Sequence, residues 1–390
     1  MVTLTACLDG LLRQLGWWLQ AFLRPRDPRA PLSPRRALIL LLALPPMLLV
    51  QLIHMLCLLL DEVLFPGYRR VPPDHALIIT GIPRSGTTAL HRALASDSAR
   101  YTTPTTWEVL LAPSIVQRRL IRAAAHVDRA LGSHVSGGLS ALTRRLAGDL
   151  AAVHEVGLDR PEEDYLALLP AGGCFLLLLA FPGAHGLQRL GAFDSDMPPA
   201  RRQRLLAFYR RLLQRHLYAD GGQRILLSKN AAFGSWLQGL HATLPGARFI
   251  VCIREPVTAL SSQISSVRGA RVLGTQVDGA AFQTLFLNLQ AGTLAHLHAT
   301  LAEWPHERAA IVDMAELRAA PESTVTAALA QLGEPCGDTL AAGLAQLRGG
   351  GGGHRHSTAG LALATDTLAA RLEPPYQALR VLSHRVGGSA

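Results

Sequence analysis

Ala76-Leu-Ile-Ile-Thr-Gly-Ile-Pro-Arg-Ser-Gly-Thr-Thr88 is the stretch that decides the fold. Ala76 to Thr80 is a short apolar run with the length and branched side chains of a buried strand. Gly81 and Gly86 bracket a turn, and Thr87 to Ala95 reads as a helix. A strand, then Gly-x-x-x-x-Gly, then a helix is a phosphate-loop layout. Free backbone N–H groups and the dipole at a helix N-terminus bind anions, and glycine lets the backbone come close. Arg84 adds a planar charged fork, and Ser85, Thr87 and Thr88 add hydroxyl donors around Gly86.

The nucleoside triphosphatase version of this loop places Lys after the second glycine, followed by a Ser or Thr that ligates magnesium. Here Thr87 holds the lysine position. A triphosphate needs that lysine and its magnesium to neutralise the transferred group. A sulfuryl group carries less charge and transfers without metal. The missing lysine therefore argues against ATP hydrolysis and for an adenylyl phosphosulfate ligand, with no metal required.

Outward from the loop, the same texture recurs. Gln223 to Leu227 leads into a second strand, Arg248 to Ile253 is a third and Ala309 to Val312 a fourth, with a helix starting at Pro256. Residues 115–150 and 200–218 are rich in Arg and Leu and read as helical. Short apolar strands alternating with helices predict an α/β fold, a P-loop-like three-layer domain with a central parallel sheet covered on both faces. The glycine run Gly349 to Gly353 predicts a loop.

A candidate for a second anion site is Ile253-Arg-Glu-Pro-Val-Thr-Ala-Leu-Ser-Ser262, a pattern that gains its meaning from the first loop about 170 residues earlier. An Arg at a strand exit and a Ser in the first turns of the next helix converge on one anion, here Arg254 and Ser262. Between the two motifs, Leu226-Leu-Ser-Lys-Asn230 ends a strand. Lys229 is the only lysine of the chain, whose other basic residues are arginines. It falls at the carboxyl edge of the sheet, where open α/β folds bind ligands.

Pro83-Arg-Ser-Gly-Thr-Thr88 resembles the 5′-phosphosulfate loop of sulfotransferases that use 3′-phosphoadenosine 5′-phosphosulfate and release adenosine 3′,5′-bisphosphate. It is most similar to the bacterial sulfotransferase group and to tyrosylprotein sulfotransferases, where Arg replaces the Lys of the cytosolic enzymes. Arg254 and Ser262 resemble the family's 3′-phosphate motif. The resemblance spans roughly residues 61–390 and implies that Arg84, Ser85, Gly86, Thr87, Thr88, Arg254 and Ser262 bind the donor. Lys229 matches a family lysine that touches the donor's bridging oxygen. The family's histidine base two residues on is absent, because Ala231 stands there.

The base must come from elsewhere. Glu108, in Pro104-Thr-Thr-Trp-Glu108, lies where related sulfotransferases carry a catalytic glutamate. His154 opens a segment ending in Pro161-Glu-Glu-Asp164, which resembles a bacterial family segment. Glu162, Glu163 and Asp164 form an acidic cluster suited to an acceptor amine or to bracing loop arginines. His354-Arg-His-Ser357 resembles a segment near the family's carboxyl terminus and predicts a donor-covering loop. Two rival readings stay open. One is a nucleotide-dependent phosphotransferase with Asp313 on magnesium, and the other a membrane-tethered nucleotide-binding protein without turnover.

The chain has 390 residues, 49% hydrophobic, with a formal net charge of +10. A basic surface suits anionic ligands and acidic lipid. Only 5% of residues are aromatic, and no basic stripe interleaves with stacking residues, so nucleic acid is not the expected partner. Five widely spaced cysteines argue against a disulfide framework and a zinc site. Residues 1–36 are amphipathic and basic, and Ala37 to Leu60 runs 24 residues without a charge. That run is long enough for a membrane anchor. It reads either as a spanning helix or as a re-entrant one split by Pro45-Pro46. The expected division is 1–36, an anchor over 37–60 and the sulfotransferase domain over 61–390. The acceptor is an unknown hydroxyl or amine, a lipid by the logic of membrane attachment. Donor supply favours the cytoplasmic face, whereas the arginine count with a full span favours the opposite side.

Overall fold

The structure is a computed structural model and describes residues 1–130, 158–337 and 360–385, with Leu340, Gly343 and Leu344. The chain opens with two long helices, α1 (Val2–Leu23) and α2 (Pro34–Leu64). Strand β1 (Ala76–Gly81) and helix α3 (Thr87–Ala95) follow. The two-residue strand β2 (Tyr101–Thr102), which sequence periodicity is too short to register, comes next. After it come α4 (Thr106–Leu110) and α5 (Ile115–Ala130). The second half holds α6 (Pro199–Asp220), β3 (Ile225–Lys229), β4 (Arg248–Ile253), α7 (Pro256–Ser266), α8 (Ala280–Glu303), β5 (Ala309–Asp313) and α9 (Thr365–Arg385).

The five strands form one parallel sheet in the order β2-β3-β1-β4-β5. Its residues divide with the strict two-residue period of a pleat. Ile78, Leu226, Phe249, Val251 and Ala309 face one apolar cluster with α6, α7, α8 and α9. Leu77, Ile79, Leu227, Ile250, Cys252, Ala310 and Val312 face another with α3. Helices on both faces make the expected three layers and explain why the strands read as continuous apolar runs.

The break at Pro45-Pro46 that the re-entrant reading requires is absent. α2 is one helix from Pro34 to Leu64 with both prolines inside it and exposed. Its start is sharp because Ser33 caps it, accepting a hydrogen bond from the Arg36 N–H, with Pro34 in the first turn. Both N-terminal helices join the main core. Ala6, Cys7, Trp17, Trp18, Leu40 and Leu58 are buried in the same cluster as the sheet.

Candidate active site

β1, β3 and β4 are the three central strands, and each ends at one of the sequence motifs. β1 runs into Gly81 to Gly86, β3 ends on Lys229, and β4 exits into Arg254. The central position is what gathers motifs separated by up to 178 residues. Ligands of parallel sheets sit at this edge, where the strand order reverses.

The loop between β1 and α3 is tightly constrained. Gly81 has φ +138, and a Cβ there would lie 1.9 Å from the Cys252 carbonyl oxygen. The first glycine is therefore required by the close approach of β1 and β4. Gly86 has φ +89, and its Cβ would meet the Met314 sulfur at 2.2 Å. Arg84, at φ 67, is the one non-glycine with positive φ among the described residues. Such backbone costs on the order of 1–2 kcal/mol outside glycine and is characteristic of loops shaped around an anion. Ser85 is fully buried and donates to the Ile82 carbonyl oxygen at 2.6 Å, so its hydroxyl closes the turn.

The two anion motifs meet directly. Arg84 Nε donates to Ser262 Oγ at 2.9 Å, and Arg254 Nη1 donates to the Arg84 carbonyl oxygen at 3.0 Å. Burial, with the nearby charges of Arg318 and Arg84, holds the Arg254 guanidinium below its ordinary pKa. Burial lowers Arg84 too, against the opposing pull of Glu163. Arginines brought together at a sheet edge concentrate positive charge that a polyanion would relieve.

Lys229 is 2% exposed. Its Nζ lies 3.3 Å from Thr88 Oγ1, 2.9 Å from Glu163 Oε1 and 3.9 Å from Glu162 Oε1. The lysine thus connects the start of α3 to the acidic cluster. That cluster is delivered by a second pairing. The Thr106 and Trp107 N–H groups donate to the Arg160 and Leu158 carbonyls, and the Glu162 N–H donates to that of Pro104, each at 3.0 Å. Asp164 is buried, and its Oδ2 accepts from Tyr209 at 2.7 Å, the Tyr209 hydroxyl lying 3.1 Å from Ser228 Oγ. Burial pushes the Asp164 carboxyl up to about 6.

Glu108 is 5% exposed and heavily engaged. Its Oε2 accepts from the Thr105 N–H at 3.1 Å, closing a capping box at the start of α4. Its Oε1 lies 3.2 Å from Arg122 and 3.5 Å from Arg118, and His216 stands at 3.9 Å. Asp313 caps the short helix Met314–Ala319 through the Ala315 N–H and accepts from Tyr376 at 2.8 Å. His154 and His354 to Ser357 lie outside the described residues.

A family model described as "Sulfotransferase family" matches residues 180–338. Over this stretch the chain is similar to that family. The matched stretch holds Lys229, Arg254 and Ser262, and the Gly81 loop precedes it. The whole architecture is shared with solved bacterial sulfotransferases. Sulfotransferase STF1 from Mycobacterium tuberculosis H37Rv superposes with TM-score 0.61 at 20% identity, over 93% of this chain and 92% of that one. Sulfotransferase STF9 from Mycobacterium avium gives TM-score 0.61 at 15% identity, over 83% and 81%. At these identities the likeness is one of fold. No curated protein sequence matches the chain.

Sequence reasoning overlooked three members of this site. Glu163 was grouped with its neighbours as an acidic cluster, without a link to Lys229. Arg318 carries no motif, and Met314, directly after β5, covers Gly86. The usable signal was the conjunction of one lysine and one acidic run in a chain otherwise charged by arginine.

Proposed function

We propose that the protein is a sulfotransferase that moves a sulfuryl group from 3′-phosphoadenosine 5′-phosphosulfate to a hydroxyl or amine. The observation that carries this reading is the convergence of the Gly81–Thr88 loop, Arg254 with Ser262, and Lys229 on one sheet edge. The donor set fits the ligand chemically. Two anion-binding motifs suit phosphates at two ends of one nucleotide, and hydroxyls rather than a carboxylate line the loop, as a metal-free anion site requires.

In this reading Arg84, Ser85, Gly86, Thr87 and Thr88 hold the phosphosulfate end, and Arg254 with Ser262 the 3′-phosphate. The donor supplies an activated sulfur–oxygen bond. Lys229 stabilises negative charge on the phosphate oxygen that departs as this bond breaks. Glu163 takes the acceptor's proton as the new bond to sulfur forms. Its carboxylate, 2.9 Å from Lys229 Nζ, supports that assignment. Glu108 is proposed as a positioning residue instead, since its oxygens serve the α4 cap and two arginines. Asp313, already committed to a helix cap and Tyr376, offers little support to the magnesium-dependent alternative.

Calorimetry on the purified chain tests the donor reading. Adenosine 3′,5′-bisphosphate is expected to bind without added metal and more tightly than ATP with magnesium. Preference for ATP with magnesium would establish the phosphotransferase reading in its place. Bisphosphate binding with no transfer to any acceptor would leave a binding protein. Labelled donor incubated with lipid extracts addresses the acceptor, which we take to be an amphiphile because of the apolar N-terminal helix. Label found only in water-soluble products would refute that assignment.

A further inference from the structure

We infer that α1 and α2 together form a platform that seats the protein flat on one anionic lipid leaflet, without crossing it. This inference concerns two helices that carry none of the donor motifs and stands whether or not the transfer reaction does.

The two helices lie antiparallel and are tied along their length. Thr3 Oγ1 donates to Glu62 at 2.5 Å, Gln14 Nε2 lies 3.5 Å from Gln51 Oε1, and Trp18 Nε1 donates to the Leu40 carbonyl at 3.0 Å. Both rest on one stretch of the domain. Gln14 reaches the Leu169 carbonyl, Gln51 that of Pro170, Gln20 that of Gly183, and Arg36 that of Ala180. Gly10 permits this seating, since a Cβ there would lie 2.2 Å from the Pro170 carbonyl oxygen.

The inward face of α2 is the face of a soluble helix. Arg36, Leu40, Gln51, His54, Leu58 and Asp61 are buried at helical spacing. His54 Nδ1 is 2.9 Å from Gln117 Nε2, and Asp61 pairs with Arg215, both fully buried. Crossing a bilayer would strip these groups of their partners and move them into hydrocarbon, where charged groups are costly.

The outward faces are aliphatic. Leu4, Leu8, Leu12, Leu15 and Leu19 form one stripe on α1. Leu38, Leu42, Leu49, Ile53, Leu56 and Leu60 form another on α2, with Leu12 and Leu42 more than 60% exposed. At 31 residues α2 is about 45 Å long, so the surface far exceeds an incidental apolar patch.

Charge selects the occupant. Residues 1–70 hold eight arginines and four carboxylates. Those carboxylates are paired: Asp9 with Arg13 and Arg204, Asp27 with Arg29, Asp61 and Glu62 with Arg215. Exposed Arg24, Arg26 and Arg35 flank one end of the helix pair, and exposed Arg70 and Arg119 the other. Arg119 stacks over Phe65 at the end of α2, 4.3 Å from the ring centroid. An apolar face with basic groups at both ends matches anionic headgroups around acyl chains. A second copy would meet like charge in either orientation. Seated this way, the entire chain stays on one side of the membrane, which removes the conflict between arginine count and donor supply.

Flotation of the full-length protein with vesicles tests this. Binding is expected to vesicles of phosphatidylcholine with phosphatidylglycerol, to weaken in high salt or on phosphatidylcholine alone, and to be released by alkaline carbonate. Leu12→Glu and Leu49→Glu should each lower partitioning about tenfold or more with an unchanged unfolding temperature. Arg24→Gln, Arg26→Gln and Arg35→Gln leave the apolar face intact and should each cost about fivefold on anionic vesicles only. Absence of flotation by the folded protein, or equal flotation of all variants, would overturn the inference. Carbonate-resistant retention would restore a spanning helix. A dimer that Leu12→Glu dissociates, with no vesicle binding, would make the occupant a second copy.

Discussion

Arg84 Nε and Ser262 Oγ lie 2.9 Å apart although 178 residues separate them in the chain. One motif ends β1 and the other opens the helix after β4, and these strands are hydrogen-bonded neighbours. The contact makes the two anion motifs one cluster. Replacing Arg254, whose guanidinium also holds the loop through the Arg84 carbonyl, should therefore weaken adenosine 3′,5′-bisphosphate by about 1.5–3 kcal/mol, the scale of a hydrogen bond to a charged group. Calorimetry of Arg254→Ala and Ser262→Ala, singly and together, should show non-additive losses. Strict additivity would mean that the motifs act separately.

Lys229 and the two candidate glutamates separate by different readouts. Lys229→Ala is expected to lower kcat by about 10²–10³-fold, as for loss of one donor to developing charge, with a smaller change in bisphosphate affinity. Glu163→Gln should lower kcat by about 10²–10⁴-fold, with a smaller loss of stability than Glu108→Ala, since the amide still accepts from Lys229 and Glu162 stands 3.9 Å from its Nζ. Glu108→Ala should instead destabilise the fold by about 3–5 kcal/mol, because Arg118 would remain as an uncompensated buried charge. The reverse pattern, stability lost with Glu163 and turnover lost at full stability with Glu108, would return the base to Glu108.

Gly81→Ala tests the loop's geometry. With φ +138 and a Cβ position 1.9 Å from the Cys252 carbonyl oxygen, the backbone of β1 or β4 must move. Destabilisation of more than about 3 kcal/mol is expected from strain and overpacking combined. Chemical denaturation measures it, and an unchanged midpoint would contradict the structure.

Asp164 predicts a pH effect on stability. Its folded-state carboxyl is raised to about 6 by burial, above the ordinary carboxylate value. Its favourable contribution is therefore complete at low pH and lost as pH climbs from about 4 to about 6. Asp164→Asn keeps an acceptor for Tyr209 and carries no charge. It should be more stable than the native chain by about 1–3 kcal/mol at pH 8, with the difference closing near pH 4. A constant difference across that range would count against the buried, raised carboxyl.

Much of the proposed donor site is legible because its chemistry is local. A strand, two glycines and a helix start specify an anion loop within thirteen residues, from Ala76 to Thr88. Arg254 and Ser262 were legible for the same reason, each motif being complete within one strand exit and one helix turn. Glu163 as the partner of Lys229 was not legible. It depends on the pairing of residues 104–107 with residues 158–162, which no local pattern encodes. Glu108 is a base candidate by its position in the sequence, and its ties to Thr105, Arg118 and Arg122 become visible only in the fold, because a carboxylate's role depends on what faces it.

The apolar run from Ala37 to Leu60 marks the same divide. Composition alone identified a helix with lipid-like surface, since length and hydrophobicity are sums over residues. The proposal that it does not cross a bilayer rests on Arg36, Gln51, His54 and Asp61, four polar residues with domain partners from 54 to 237 positions away. Only folding brings those partners to one face of α2, and buried polar groups must be satisfied where they lie. The sequence by itself determined the strand–loop–helix anion motifs and the apolar character of the N-terminal helices. The tertiary structure decided which carboxylate meets Lys229 and which face of α2 belongs to the protein.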